Sequence, residues 1–331
     1  MTDTKKSLQD TMVHGDMTKK FLGYEAEHTS VLEMLTPFQG IQSFLRLPYQ
    51  RDLEGVDISV YGIPSDISTS NRPGARFGPR AIREQSLLLG VYSDPFPPHK
   101  HSLRDHMKMV DYGDLAFEFG YVEELLRVSH EHIGRMVDAG THTLGLGGDH
   151  LVTYPAIKEH ARKHGPLSLI HFDAHSDDTN MGALHHGSMF WYACEENLID
   201  PTRSIQIGVR HTLPEHDFNV LSGEDIIDMK GTEIAQRIRE VVGDNPCYIS
   251  LDVDGMDPAF TPGTGTPVPG GLTSMQQRQI LWHLKGLNVV GADVVEVSPP
   301  YDPTGQTANI AAGCAIDLMH VLAESRKLNN K

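Results

Sequence analysis

The chain has little cysteine, few aromatic residues and no long apolar run. Its 331 residues contain only Cys194, Cys247 and Cys314, and no two of them form a CxxC pair. That excludes a disulfide-stapled scaffold and a cysteine zinc site, leaving three small hydrophobes in a reducing compartment. No segment approaches the roughly 18 consecutive apolar residues of a membrane span. The opening MTDTKKSLQD has no apolar core of a signal peptide, so a cytoplasmic location is expected. Positive charge is also short. Lys and Arg total 28 against 44 Asp and Glu, a formal net charge of −16. Such a surface repels phosphate backbones and anionic headgroups, so neither nucleic acid nor membrane is an expected partner.

Repeats, low-complexity tracts and long linkers are absent too. The expected organisation is one catalytic domain over 51–331, preceded by an extension or arm over 1–50. Within the arm, residues 38–48 alternate apolar and polar, a pattern suited to packing on the domain or on a neighbouring subunit.

From Val56 onward the chain alternates between two patterns. Apolar, β-rich runs at 58–61, 107–110, 143–147, 167–172, 204–209, 247–251 and 289–297 read as strands. Several are apolar throughout, as strands covered on both faces of a parallel sheet are. Amphipathic stretches at 79–89, 122–139, 154–164, 233–242, 274–284 and 308–322 read as helices. The expected fold class is therefore α/β, a mainly parallel sheet with helices on both faces. Ligands of such sheets bind beyond the carboxyl ends of the strands.

Four of the strand ends carry chemistry. The run 143–147 leads into Asp149 and His150, and 167–172 into Asp173, His175 and Asp177. The run 247–251 leads into Asp252 and Asp254, and 289–297 contains Glu296. In an extended chain residues two apart share a face, so Asp173, His175 and Asp177 form one ladder and Asp252 with Asp254 another. A lone strand-end Asp is usually a turn former or a helix cap. Four such ends on one sheet edge are hard to explain by capping. Carboxylates and imidazoles aimed into one cleft repel or are costly to desolvate without a cation. An oxygen-rich set with few imidazoles suits Mn²⁺ better than structural zinc, and surplus carboxylates suit two bridged ions. Of the remaining histidines, His14, His28, His99, His101, His106, His130, His132, His160 and His164 read as solvated or packing residues. The pair His185-His186 lies in a loop that can reach the cleft.

These segments resemble the ureohydrolase family of arginases, agmatinases and related guanidino-acid hydrolases. The resemblance spans about 55–325. It is carried by GGDH at 147–150, FDAHSD at 172–177, HHGSMF at 185–190, SLDVDGMDPAFTPGTGTPVPGGLT at 250–273 and VVEVSPPYDP at 294–303. TSNRPGARFGPRAIRE at 69–84 points to the agmatinase-like branch. The resemblance implies a three-layer α/β/α arginase-like fold and two divalent metal ions, Mn²⁺ or, as in guanidine hydrolases of this branch, Ni²⁺. His150, Asp173, Asp177 and Asp252 would hold or bridge one ion, and His175 with Asp254 would complete the other. His186 would be the proton shuttle and Glu296 the guanidinium partner. The implied reaction is hydrolysis of a small guanidino compound, agmatine or a guanidino acid such as 4-guanidinobutanoate, to urea and an amine. Thr179 stands where the arginase pattern has an asparagine, which weighs against arginine as substrate. The family implies a homo-oligomer, trimeric or hexameric. The alternatives are a nickel hydrolase of free or methylated guanidines, a single-zinc deacetylase-like amide hydrolase, and a subunit of a hetero-oligomer. For the substrate tail, Arg72, Arg76, Arg80 and Arg210 are the candidate carboxylate partners.

Overall fold

The apolar runs form a single sheet buried on both sides. In this computed structural model, residues 36–92 and 95–329 are described. In chain order they form β1 (Ile58–Ile63), α1 (Gly78–Tyr92), β2 (Met109–Asp114), α2 (Val122–Asp138), β3 (His142–Gly147), α3 (Thr153–His164), β4 (Ser168–Phe172) and α4 (Met189–Glu195). There follow β5 (Ile205–Val209), β6 (Asn219–Ser222), α5 (Gly231–Val242), β7 (Cys247–Asp252), α6 (Ser274–His283), β8 (Val289–Val295) and α7 (Gln306–Asn329). The eight strands pair in parallel throughout, in the order β2-β1-β3-β8-β7-β4-β5-β6.

Side chains two apart on a strand go to the same layer. Ile58 and Val60 of β1, Ile170 and Phe172 of β4, and Ile249 and Leu251 of β7 join one core, under α1, α5, α6 and α7. Tyr61 and Ile63, Leu169, and Tyr248 join the other, under α2, α3 and α4. Each large apolar side chain so buried contributes about 1.5–3 kcal/mol. This is the expected α/β/α sandwich. Local signals agree with it: before α6, Thr273 Oγ1 accepts from the Gln276 N–H at 3.1 Å, and Gln276 Oε1 accepts from the Thr273 N–H at 3.0 Å. That reciprocal cap satisfies two donors that a helix start leaves open.

Two elements escape the apolar-run reading. β6 has four half-buried residues at the sheet edge, too few for alternation to register. The strand expected at 107–110 begins at Met109 and runs on through polar residues to Asp114. Residues 1–35 of the expected arm, with His14 and His28, lie outside the described residues. From 36 to 50 the arm packs on this chain. Phe44 and Leu47 are buried in the first core, and the Phe44 N–H donates to Asp111 Oδ2 at 2.7 Å.

The strand order positions the site. β3, β8, β7 and β4 are the four central neighbours. These are the four strands whose ends carry the acidic and imidazole residues. They lie between halves of the sheet that wind in opposite directions, where open α/β sheets bind ligands.

Candidate metal centre

Beyond β4 the chain does not stay extended. Asp173 Oδ1 accepts from the His175 N–H at 2.7 Å, a tight aspartate turn. Asp177 has φ +49°. The expected ladder of Asp173, His175 and Asp177 is therefore replaced by a coil, and convergence comes from the turn rather than from pleat alternation. At β7, Asp252 Oδ1 likewise accepts from the Asp254 N–H at 2.8 Å. The capping role of a strand-end aspartate and its place in a cluster thus coexist: at Asp252 Oδ1 caps while Oδ2 faces His150, and at Asp173 the capping Oδ1 also faces the His175 ring.

Two groups of donor atoms result. His150 Nδ1 lies 3.1 Å from Asp173 Oδ2, 2.8 Å from Asp177 Oδ2 and 3.4 Å from Asp252 Oδ2. It is fully buried, yet none of these contacts has hydrogen-bond alignment. One nitrogen and three carboxylate oxygens crowd a point without bonding one another, the arrangement a divalent cation requires. In the second group His175 Nδ1 lies 3.2 Å from Asp173 Oδ1 and 3.3 Å from Asp254 Oδ2. The two oxygens of Asp173 face different groups, so this carboxylate can bridge two ions.

The electrostatics point the same way. Burial, together with the charges of Asp254 and Asp173, pushes the Asp252 carboxyl well above its ordinary value. Burial and the Asp173 charge push Asp254 up to about 7. Burial would raise Asp173 as well, but the charge of His171 and the three imidazoles of His150, His171 and His175 around it hold it well below the usual range. Without a cation Asp252 and Asp254 relieve this repulsion by taking protons, and Asp173 through the imidazoles beside it.

His171 is the residue that spacing alone did not single out. It precedes Asp173 by two on β4, is fully buried, and sets Nε2 2.8 Å from Asp173 Oδ2. The available signal was that two-residue step on one strand face. Gly255 is also explained. A Cβ there would lie 2.8 Å from the Asp173 nitrogen, so only glycine lets the β7 turn pass the β4 turn.

Next to the groups sits Glu296. The strand expected over 289–297 stops at Val295, and Glu296 turns out of it with φ +61°. Its Oε1 accepts from the His150 N–H at 2.9 Å and lies 3.1 Å from His186 Nδ1. Its Oε2 is buried with no partner among the described residues. His186 Nε2 lies 2.9 Å from Ser70 Oγ and accepts from the Ser70 N–H at 3.2 Å. Ser70 thus serves both states of the ring: its hydroxyl accepts when Nε2 is protonated, and its N–H donates when it is not. Burial lowers the His186 pKa, but the Glu296 hydrogen bond and the nearby carboxylates outweigh it and raise the value to about 8. His185 faces elsewhere, with Nδ1 accepting from the Gly187 N–H at 3.0 Å. Thr179 is half-buried on the loop just after Asp178.

Two loops cover these groups. Asn71 Nδ2 donates to the Gly265 carbonyl at 2.9 Å, joining the loop after β1 to the loop after β7. Thr266 Oγ1 donates to Asp254 Oδ2 at 3.2 Å. Of the candidate tail-binding arginines, Arg210 is spent on backbone carbonyls, among them Asp254 at 2.7 Å and Val268 at 2.8 Å. Arg76 is paired with Asp66. Arg80 is exposed on α1, and Arg72 is exposed with its guanidinium 5.1 Å from the Tyr301 ring centroid.

Known proteins match this chain over most of its length. The agmatinase of Cronobacter sakazakii is 42% identical over 290 residues, 86% of this chain and 94% of its own. The crystal structure of a hypothetical agmatinase from Burkholderia thailandensis is 42% identical and superposes with TM-score 0.85, covering 89% of this chain and 94% of that one. Proclavaminate amidino hydrolase from Streptomyces clavuligerus is 37% identical with TM-score 0.82, covering 88% and 99%. The arginase-family model matches residues 56–321. The chain therefore belongs to the arginase family, hydrolases of amidine C–N bonds with a binuclear divalent metal centre.

Proposed function

We propose that this protein hydrolyses agmatine to urea and an amine, with a guanidino acid such as 4-guanidinobutanoate as the second choice. The observation that carries the reading is the pairing of the His150–Asp173–Asp177–Asp252 convergence with the buried, unpartnered Glu296 Oε2 beside it. Agmatine comes first for two reasons. The nearby Arg210 and Arg76 are already committed, which leaves only exposed arginines for a substrate carboxylate. The net charge of −16 favours approach of a dication.

His150, Asp173, Asp177 and Asp252 would hold one ion, and His175 and Asp254, with Asp173 and Asp252 shared, the other. Mn²⁺ is the first choice for the oxygen-rich donor set, and Ni²⁺ the second. Bound divalent cations supply Lewis acidity and make water nucleophilic near neutral pH. The chain's own residues do the rest. Glu296 takes the planar guanidinium on its free oxygen by a charge-assisted hydrogen bond and fixes its orientation. Asp177 holds a proton of the attacking water. His186, protonated near neutral pH, gives its proton to the leaving amine, and Ser70 supports the ring before and after. Thr179 borders the substrate tail.

The same reading makes residues 51–331 one catalytic domain with 1–50 as its arm, in a cytoplasmic homo-oligomer, trimeric or hexameric. Among the described residues no helix is long and apolar enough to cross a membrane.

The test is urea release from agmatine, 3-guanidinopropanoate, 4-guanidinobutanoate, arginine, guanidine and methylguanidines, with Mn²⁺ and Ni²⁺ supplied separately. Agmatine with Mn²⁺ is expected to lead. Free guanidine with Ni²⁺ in the lead would replace the substrate reading. No urea from any of them, with two ions bound, would end the guanidino reading.

A further inference from the structure

Behind the metal centre lies a buried polar chain that none of the proposed chemistry uses. Ser250 of β7 and Asp293 of β8 face each other in register, both buried. Ser250 Oγ is 2.7 Å from Asp293 Oδ1 and 2.8 Å from His150 Nε2. Asp293 Oδ2 receives two more hydroxyls, Thr153 Oγ1 and the Tyr248 hydroxyl, each at 2.8 Å. Space for the carboxylate comes from β3, where a Cβ on Gly145 would stand 3.0 Å from the Asp293 Cβ.

The direction of this chain follows from the inventory of donors. An ionised carboxylate only accepts, so Ser250 must donate to it. Ser250 has one hydrogen, so toward His150 it can only accept. His150 must then carry a proton on Nε2, and in the neutral ring, the form that binds a metal, this leaves the Nδ1 lone pair facing the oxygens of Asp173, Asp177 and Asp252. The missing hydrogen-bond alignment at Nδ1 agrees with a lone pair there. The ring is fixed from the side as well, by Phe190 edge-on at 5.4 Å between centroids.

We propose that Asp293, acting through Ser250, is a positioning residue that sets the tautomer and orientation of His150 for metal binding. The relay reaches across three neighbouring strands, so Asp293 influences the centre without touching it. Partners behind a metal-binding imidazole typically govern affinity about 10- to 100-fold.

The inference rests on the assignment of His150 as a metal ligand, so its test must separate the two. Mn²⁺ binding to the full-length protein is measured from the EPR signal of free aqueous Mn²⁺, with thermal unfolding of the metal-free form recorded alongside. Asp293→Asn gives position 293 a donor face, so Ser250 is no longer obliged to donate to it. It is expected to weaken one of the two Mn²⁺ sites about 10- to 100-fold, with kcat at saturating Mn²⁺ falling less than affinity. Ser250→Ala removes the relay atom with little change in volume, and is expected to weaken the same site even if Asp293→Asn does not fold. Tyr248→Phe strips a different hydroxyl from the same carboxylate; it is expected to cost stability and leave Mn²⁺ affinity in place. Wild-type affinity in both Asp293→Asn and Ser250→Ala would overturn the relay. So would a loss in Tyr248→Phe as large as theirs, since the effect would then be general damage to the core. His150→Ala is the control: if it still binds two Mn²⁺ with wild-type affinity, the ligand assignment has failed and the relay falls with it.

Discussion

Replacing Glu296 by glutamine tests the guanidinium site with the least disturbance to shape. The side chain is about 1% exposed, and its Oε1 accepts from the His150 N–H. A glutamine carbonyl can keep that bond and so hold the turn at φ +61°. Its amide nitrogen then occupies the Oε2 position, and a donor faces the donors of a guanidinium. Breaking one side of a buried ion pair costs about 3–5 kcal/mol. At about 1.4 kcal/mol per decade this is about two to four decades of kcat/KM. The assay is urea release from agmatine at saturating Mn²⁺, with bound metal counted in the same preparation. A second signature comes from His186. With the Glu296 charge gone, burial dominates at His186 and its pKa falls from about 8. The alkaline limb of the pH profile then moves to lower pH. Wild-type kcat/KM in the variant would refute the role of Glu296. Loss of metal together with activity would mean that the damage is structural.

Five other outcomes are expected. Asp252→Ala removes metal and activity together; two bound ions with full turnover would void the ligand set. His186→Ala lowers kcat by about 10²- to 10⁴-fold and exceeds His185→Ala, whereas the reverse order would mean that the wrong imidazole was chosen. In the wild type, activity should decline above about pH 8 as His186 loses its proton. Gly255→Ala pushes on the Asp173 backbone and should lower both Mn²⁺ affinity and stability, by about 1–3 kcal/mol for an overpacked site; unchanged Mn²⁺ binding would mean that the turn yields freely. Burial, chiefly, lowers the pKa of His142 to about 4. Its folded value lies below the unfolded one, near 6.5, so the unfolded chain binds the extra proton. Stability should therefore be full above about pH 6.5 and fall toward pH 4, by about 3 kcal/mol from this residue. His142→Gln should flatten denaturation midpoints over that window, and an unchanged slope would exclude the contribution.

The sequence showed the strands and the polar groups that follow them, because runs buried on both faces are long and apolar and their acidic ends break the pattern abruptly. It did not show how those groups meet. The two-residue rule put Asp173, His175 and Asp177 on a ladder, but strand pairing ends at Phe172 and the aspartate turn takes over. Glu296 looked like a strand residue and lies just outside β8. His171 was hidden because it sits inside an apolar run, where a histidine reads as packing. Asp293 and Ser250 were hidden for a different reason: their meaning depends on register between strands 43 positions apart. The arginines were visible, but their availability was not, since backbone carbonyls that capture Arg210 leave no trace in the sequence.

The left-handed backbone at Asp177 and Glu296 and the buried charges lie together at the strand ends. Left-handed φ at a non-glycine residue costs about 1–3 kcal/mol; the described residues place it at Leu45, Arg46 and Asn197 as well as at Asp177 and Glu296 beside the donor groups. Asp173, Asp252 and Asp254 are almost wholly buried within one short reach of each other. A chain selected only for stability would relax both features, by capping the strands with one aspartate each and letting the turns take ordinary φ. Keeping them together requires an offset that the fold does not contain by itself. Two divalent cations held as proposed would supply it, because they would reverse the repulsion that raises Asp252 and Asp254 and would draw Asp177 into the same shell. Folding of the strand ends and metal binding would then be thermodynamically linked, and the metal centre would belong to what holds the four central strand ends in register.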